Sequence, residues 1–558
     1  MEKHADLVVR NASVFTAAGS SDVRLRGFAV ADGRIVAVAA DAPEVLDPYC
    51  GEGTQVVDLG GAMVVPGIFD AHTHHLIGGA TQLSQLRFPV TATLDEILGA
   101  VDAWSTTLPS GAWVTGGSWG STLLGEISTV AARHRLDAVS HGHPVVLYDD
   151  SHHNNWVNTE ALRLAGIDTS VGVENADGTI LDPSTGEVAG VLLERAVLPV
   201  RQARDAAERM TDEDWRGFSE KALQMYAEMG VTGLQEAVAE GRELRALRTM
   251  EREGLLHARV VCCLLFIGSL NPGAETPEEL DALARDVASD LLRTDWVKLH
   301  LDGVPPAQTA AFLEPYAPSA EHGHDHRGAV YIEHERLVEL LKEYADAGRS
   351  VKVHCTGDAS ARAAIDAVAV LRSEGYDRTR FQIAHGQFVD EEDWTRMRDL
   401  QIIAESSPFL WYPGVIPAAI GKVLPAGRAR RMSPQRALTD LGVLVAAGSD
   451  WPVCPTPNPW HGIAGLVTRA DPTREHPGTL WPEQALTVHE ALRVFTVNGA
   501  RAMGLEDVAG TLEVGKSADF VVIDRDPFAI EPADIADTRV LETWFEGTCV
   551  YRAQPSAF

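Results

Sequence analysis

Histidines and an aspartate recur in this chain at points where short apolar segments end. His72 and His74 lie two residues apart in VVPGIFDAHTH, and His354, His385 and Asp450 belong to three later segments of the same kind. On an extended strand, side chains at positions i and i+2 point to the same side, so His72 and His74 form a pair of imidazoles. Imidazoles and carboxylates are ligands of divalent metals, with zinc favoured and manganese or iron as alternatives. The pattern predicts a site for one or two metal ions.

A lysine inside an apolar segment is a further candidate. Lys298 lies in WVKLHLDG, where an unpaired ammonium group would be expensive to bury. One interpretation is a salt bridge from Lys298 to Asp302 or Glu236. The other is carboxylation by CO2, which would turn the lysine into an anionic ligand that bridges two metal ions. The residues leave both interpretations open, and in either case we expect Lys298 close to the metal.

Aromatic residues stand in predicted loops that should lie near the same ligands. They include Trp119, Trp156, Trp411 and Trp451. Each of them alone could simply anchor its loop. Together they predict the wall of a substrate pocket suited to an apolar or aromatic group.

Short apolar segments alternate with helical stretches through the middle of the chain. The segments are 63–74, 230–237, 258–266, 296–303, 350–358, 381–387, 401–408 and 443–453. Gly230 and Gly348 end two helical stretches just before a strand begins. The alternation is typical of a parallel barrel or a doubly wound sheet. In a barrel, all eight strand ends would meet at one mouth and bring the candidate ligands together.

The two ends of the chain contain short β-branched strands, at 5–16 and 27–40 and again at 510–524 and 538–552. Neither end has enough strands to bury a face alone. We therefore predict one small β-sandwich built from residues 1–62 and 506–558, rather than two unrelated hairpins. The remaining barrel would span 63–505, and the long interval after its first strand predicts an insertion at about 76–200 over the active face.

The charge and the cysteines limit the classes of partner and location. The formal net charge is −32, from 47 Lys and Arg against 79 Asp and Glu. Because an acidic surface repels phosphate backbones and anionic membranes, we expect neither nucleic acid nor a membrane as a partner. Six scattered cysteines without a CxxC pair, and a start without a basic and apolar leader, predict a cytoplasmic protein.

The chain resembles the amidohydrolase superfamily, and within it the amidohydrolase 3 group of YtcJ-like proteins and N-substituted formamide deformylases. The resemblance rests on segments in family order over nearly the whole chain: VVPGIFDAHTHH, WVKLHLDG, VKVHCTGDASARAAIDAV, FQIAHGQFV, GSDWPV, LTVHEALRVFTVNGARAMG and GTLEVGKSADFVVID. It implies an α/β fold, a (β/α)8 TIM barrel with a β-sandwich formed from both termini, and a hydrolytic metal site.

The resemblance also implies roles for single residues. The implied metal ligands are His72, His74, His354, His385 and Asp450. Asp450 would in addition carry a proton, and Lys298 sits where related enzymes have a lysine that is carboxylated in some of them. HNNWVNTEAL is similar to a family stretch whose histidine reaches the active site, which makes His153 a catalytic candidate. HCTGD and DDSHHNN depart from the family pattern, and these departures concern the substrate.

These inferences predict a metal-dependent amidohydrolase that cleaves a C–N bond by metal-activated water. The expected substrate is a small N-acyl or N-formyl compound with an apolar or aromatic group, and a homodimer is the expected assembly. A cyclic amide hydrolase or a deaminase would use the same metal site and is the alternative within enzymes. A non-catalytic binding or regulatory barrel is the alternative of another class.

Overall fold

Eight parallel strands form one sheet at the centre of the protein. The computed structural model describes residues 4–19, 24–172, 175–268, 275–319 and 323–554. The strands follow one another in chain order: Ile68–Thr73, Val231–Ala239, Arg259–Leu264, Leu292–His300, Ser350–Cys355, Phe381–His385, Ile402–Ser406 and Val445–Ala447. The Asp450 N–H donates to the His72 carbonyl oxygen at 2.7 Å and links the eighth strand to the first. The predicted fold class is confirmed.

The barrel strands alternate apolar and polar side chains. In the fifth strand, Val351 packs in the main hydrophobic core, whereas His354 faces the cavity at the barrel mouth. The register pairs Lys298 with Lys352 and His300 with His354. Polar groups of neighbouring strands therefore lie at the same level of the barrel, as the period of two requires.

The first predicted strand, 63–74, is two strands in the structure. Met63–Pro66 pairs antiparallel with Phe520–Ile523 in another sheet, and the barrel strand begins at Ile68. Between them, a Cβ on Gly67 would lie 2.0 Å from Thr232 Oγ1, so only glycine fits at this crossing. Pro66 and Gly67 interrupt the apolar run and let the chain pass from one sheet to the other.

Helices connect the barrel strands and cover them from outside. The described helices outside the insertion are His75–Ser84, Asp212–Glu228, Gly241–Arg252, Pro277–Val287, His334–Asp346, Asp358–Ser373, Glu391–Asp399, Val415–Val423, Ala426–Ala429, Gln435–Asp440, Pro459–Thr468, Val488–Val494 and Val497–Ala502. Gly348 has a φ of +72° after His334–Asp346, and the next N–H, of Arg349, bonds back to the Tyr344 carbonyl at 2.9 Å. This left-handed glycine ends the helix just before the fifth strand. Within the described ranges, no helix has both the length and the apolar composition that a membrane crossing needs.

Two further sheets are built from strands near the chain termini, and the larger one combines strands of both. The four-stranded sheet contains Leu7–Arg10, Gly27–Ala31, Arg34–Ala39 and Gln55–Asp58. The six-stranded sheet contains Ser13–Phe15, Arg24–Leu25, Met63–Pro66, Phe520–Ile523, Val540–Phe545 and Thr548–Arg552. Phe28 of the first sheet and Phe520 of the second meet edge to face at 5.0 Å between ring centroids. The two sheets thus share one hydrophobic core with contributions from both ends of the chain.

A separate five-stranded sheet lies between the first and second barrel strands. Its strands are Val114–Trp119, Val145–Asp149, Asn155–Val157, Thr179–Leu181 and Val188–Leu192. The helices of this insertion are Leu94–Ser105, Leu124–Ile127, Val130–Val139, Thr159–Leu164 and Leu198–Ala207. Its own core packs around buried Trp119 and Trp156. The loop between the second and third of these strands carries His153 to the mouth of the barrel.

Candidate functional site

Three predicted ligands converge at the barrel mouth. The Nε2 atoms of His72 and His74 lie 3.5 Å and 3.4 Å from Asp450 Oδ1. The three residues offer ligand atoms that all lie within 4.8 Å of one another. Two imidazole nitrogens that face one carboxylate oxygen form a group that could hold a divalent cation.

A second group shares His72 with the first. The His72 Nδ1 is 2.9 Å from Glu405 Oε2, and the backbone N–H of His385 donates to the same oxygen at 3.0 Å. The His385 ring is tilted against that of His72, at 4.6 Å between ring centroids, and its Nδ1 is 3.8 Å from Asp450 Oδ2. His72, His385 and Glu405 therefore form a second set that could hold a metal ion.

The donor atoms at this site fit a metal ion. His72 Nε2 is buried and has no hydrogen-bond partner among the described residues. Burial, followed by nearby Lys352 and Lys298, lowers the pKa of His72 well below its ordinary value. The imidazole is therefore neutral at pH 7, and a proton placed on Nδ1 towards Glu405 leaves the lone pair of Nε2 facing Asp450. Such a carboxylate–histidine pair is typical of metal ligands.

His354 lies beside these two groups rather than inside them. Its ring centroid is 4.7 Å from that of His385, and its Nε2 is 3.1 Å from the Gly303 carbonyl oxygen. Burial lowers the pKa of His354 well below its ordinary value, so this imidazole is also neutral. The structure brings His354 to the same cavity wall.

Two lysines lie at one level inside the barrel. Lys298 lines the cavity. One interpretation of its burial was a salt bridge to Asp302 or Glu236, but within the described ranges Lys298 forms no ion pair with either carboxylate. Burial and the neighbouring Lys352 lower the pKa of Lys298 to about 8. Lys352 Nζ donates to the Ala71 carbonyl oxygen at 2.5 Å. Carboxylation of Lys298 stays a prediction.

His153 reaches the barrel from the insertion. Its ring centroid is 5.5 Å from that of His354, and its Nδ1 lies 2.9 Å from Glu194 Oε2. Burial lowers the pKa of His153, but the Glu194 carboxylate outweighs burial, so the pKa lies above its ordinary value. His153 is therefore the histidine at this site best placed to donate a proton or a charged hydrogen bond.

The four tryptophans predicted to contact substrate lie elsewhere, and this prediction is corrected. Trp119, Trp156, Trp411 and Trp451 are at most 1% exposed, and none lines the cavity. Trp119 and Trp156 fill the core of the insertion. Trp411 lies under Arg469, 3.7 Å from guanidinium carbon to ring centroid, and Trp451 packs edge to face on Tyr226. Each side chain buries its whole surface in protein, which leaves none for a ligand.

We expect Trp119→Ala to lower stability without changing substrate binding. Removal of a buried tryptophan lowers the free energy of unfolding by about 3–5 kcal/mol, because a cavity is left behind. Denaturant unfolding and the KM of the folded protein measure the two effects. Trp215→Ala is the matched comparison: Trp215 is only partly buried and lines the cavity, so there KM should rise and the free energy of unfolding should fall less than in Trp119→Ala. A raised KM for Trp119→Ala would contradict its placement in the core.

The cavity at the mouth has a volume of about 1730 Å³ and combines the metal-ligand candidates with aromatic groups. The aromatic side chains of its wall are Trp113, Tyr148, Trp215, Phe218 and Tyr331. Trp113 and Tyr148 come from the insertion, Trp215 and Phe218 from the helix before the second barrel strand, and Tyr331 from the segment after the fourth. The sequence contains no periodicity that separates them from aromatic residues of the cores.

Sequence reasoning missed three charged residues of the site: Glu405, Lys352 and Glu194. Glu405 lies in the seventh predicted strand, 401–408, directly after the apolar residues 402–404. A signal existed for Lys352, because it precedes His354 by two positions and so shares its face of the strand. Glu194 lies 41 residues from its partner His153, and nothing local in the sequence connects the two.

We expect Glu405→Gln to weaken metal binding by about 10- to 100-fold, because the carboxylate that orients His72 is lost at constant side-chain size. Competition with a chelator of known affinity measures this change. Asp393→Asn is the control: it removes a buried carboxylate that pairs with Arg362 and Arg396 and does not line the cavity. Equal metal affinity in Glu405→Gln and the unmodified protein would show that Glu405 does not support a ligand.

The family model of the amidohydrolase family matches residues 55–551, which include the barrel, the insertion and about half of the strands of the two terminal sheets. The chain belongs to the amidohydrolase family. This is a family of metal-dependent hydrolases, and the two groups around His72 are the part of the described chain that could serve that chemistry.

Two curated relatives match nearly the full length of this amidohydrolase. N-substituted formamide deformylase of Arthrobacter pascens is 27% identical over 99% of both chains. Protein LONG AFTER FAR-RED 3 of Arabidopsis thaliana is 27% identical over 98% of this chain and 92% of its own. Among solved structures, an uncharacterized metal-dependent hydrolase of Pyrococcus horikoshii has the same fold, with a TM-score of 0.71, 22% identity, and coverage of 94% of this chain and 99% of its own.

Proposed function

We propose that this amidohydrolase cleaves the C–N bond of a linear amide. The observation that carries the proposal is the convergence of His72 Nε2, His74 Nε2 and Asp450 Oδ1 at the floor of a large cavity. A metal held there would face any carbonyl group that enters the cavity. Water adds to the carbonyl carbon, the C–N bond breaks, and the products are a carboxylic acid and an amine.

The ion would be held by His72, His74, His385 and Asp450, with His354 and Lys298 beside them. A bound divalent ion supplies Lewis acidity and lowers the pKa of a coordinated water toward about 7. Zinc is the proposed metal because imidazole nitrogens and a carboxylate are its preferred ligands of this type.

In this proposal Asp450 transfers the proton, and His153 stabilises the negative charge that develops on the substrate. Asp450 accepts the proton of the attacking water and passes it to the leaving nitrogen, most directly through Oδ2, since Oδ1 faces the two imidazoles. His153, whose pKa is raised by Glu194, donates a hydrogen bond to the carbonyl oxygen as negative charge develops there. Glu405 fixes the orientation of His72.

We further propose an N-formyl or N-acyl compound with an apolar or aromatic group as the substrate. Two observations support this class: the five aromatic side chains of the cavity wall, and the name of the N-substituted formamide deformylase that is similar over the full length. A cavity of about 1730 Å³ has room for an aromatic substituent beside the reacting amide.

The test is a screen of N-formyl and N-acyl amines, with metal analysis of the same protein sample. Cyclic amides and amino-substituted heterocycles belong in the screen as substrates of the alternative reactions. We expect a stoichiometric metal, hydrolysis of linear amides, and loss of turnover on chelation that added zinc restores. Protein without metal, and without turnover after zinc or manganese is supplied, would instead indicate a binding or regulatory barrel.

A further inference from the structure

One partly buried arginine on the cavity wall forms no ion pair with a described residue. Arg201 lies in the insertion helix Leu198–Ala207 and lines the cavity. Its Nη2 donates to the His152 carbonyl oxygen at 3.2 Å, while its buried Nε has no hydrogen-bond partner within the described part of the chain. Burial is the largest influence on the pKa of Arg201 and lowers it. A guanidinium that is partly removed from water and forms no ion pair is unfavourable on its own.

The other arginines of the cavity wall differ from Arg201. Three of them form ion pairs, and these are Arg204 with Asp205 at 2.6 Å, Arg242 with Glu243 at 2.9 Å and Arg245 with Glu275 at 2.8 Å. Arg195 and Arg209 are exposed, so water solvates their charge. Of the six, Arg201 alone is partly buried and forms no ion pair with a described residue.

Arg201 contacts the segment of the insertion that carries His153 to the barrel mouth. Its hydrogen bond ends on His152, and the next residue, His153, has its ring 5.5 Å from that of His354. Residues 152 and 153 thus link the Arg201 guanidinium to the side of the cavity where His354 lies. Both line the same cavity.

We infer that Arg201 binds a carboxylate of the substrate, so that preferred amides carry an anionic group beside the apolar one. The inference rests on the proposed function and specifies its substrate class. A planar guanidinium has donors in a fixed fork that matches a carboxylate, and the bond gains strength because both groups are charged. In a chain of net charge −32, an unpaired cation inside the cavity also concentrates the field that an anionic substrate meets on entry.

The test compares racemic N-formylphenylalanine with N-formyl-2-phenylethylamine, which lacks only the carboxylate. Formate release by the metal-loaded protein gives kcat/KM for both. We expect a preference of about 10- to 100-fold for the acid, the range that a hydrogen bond between charged groups provides. Arg201→Met should abolish this preference by lowering kcat/KM for the acid, while kcat/KM for the neutral amide stays unchanged. Arg201→Lys should retain part of it.

Arg209→Met is the matched control, because Arg209 lines the same cavity but is exposed. It should keep the full preference. Equal kcat/KM for acid and neutral amide in the unmodified protein would overturn the inference and leave the proposed function intact. An equal loss for both substrates in Arg201→Met would also overturn it, since it would show a structural role. If no linear amide is hydrolysed at all, the proposed function fails first.

Discussion

In His72→Ala, we expect metal content and turnover to fall together while the protein stays folded. His72 belongs to both groups that could hold an ion, so its removal damages both at once. A metal ion contributes several kcal/mol of charge stabilisation in the transition state, which corresponds to a loss of about 10³-fold or more in kcat/KM. Metal analysis by mass spectrometry and steady-state kinetics on the same sample measure the two losses.

The matched control is His143→Ala. His143 is also a buried histidine, bonded through Nδ1 to the Ala112 carbonyl oxygen at 2.7 Å, but it does not line the cavity. This variant should lose stability and keep its metal. Full activity in His72→Ala, or equal metal loss in both variants, would separate His72 from the metal and remove the basis of the proposed function.

The strand order of this barrel was predictable because each strand is a short apolar run with a clear boundary. Gly348 marks one such boundary, since its left-handed conformation ends a helix immediately before the fifth strand. The division of 63–74 into two strands was missed, and it depends on a contact between Gly67 and Thr232, which are far apart in sequence. No local pattern encodes such a crossing between two sheets.

The candidate ligands were predictable for a similar reason. The spacing of His72 and His74 predicts that both side chains lie on one face of the strand, and a barrel brings other strand ends to the same mouth. Glu405 was not predictable in this way, because it acts through His72, a distant partner in the sequence. Arg201 was not predictable either, because its interest lies in the absence of a hydrogen-bond partner for its Nε among the described residues. The tryptophans show the opposite error: burial in a core and exposure in a pocket require the same apolar side chain, and only packing separates them.

Asp450→Asn should separate metal binding from proton transfer. Asparagine has the same shape and keeps one oxygen that could face the imidazoles of His72 and His74, but it does not accept a proton at neutral pH. Proton transfer by a positioned side chain contributes about 10²- to 10⁴-fold, so we expect kcat to fall within this range. Metal content should fall less than in His72→Ala, because the imidazole nitrogens remain.

The ratio of the two losses decides the role of Asp450. If Asp450 only binds the metal, Asp450→Asn should lose metal and activity in proportion, and excess zinc should restore turnover. A proton carrier loses kcat even at full metal occupancy, and substrates with a better leaving amine, which need less protonation at nitrogen, lose less. Measurement of kcat at saturating zinc for an N-formyl alkylamine and an N-formyl aniline distinguishes the two cases. Recovery of both rates would assign Asp450 to metal binding alone. A loss of kcat that is larger for the alkylamine would identify Asp450 as the group that delivers the proton.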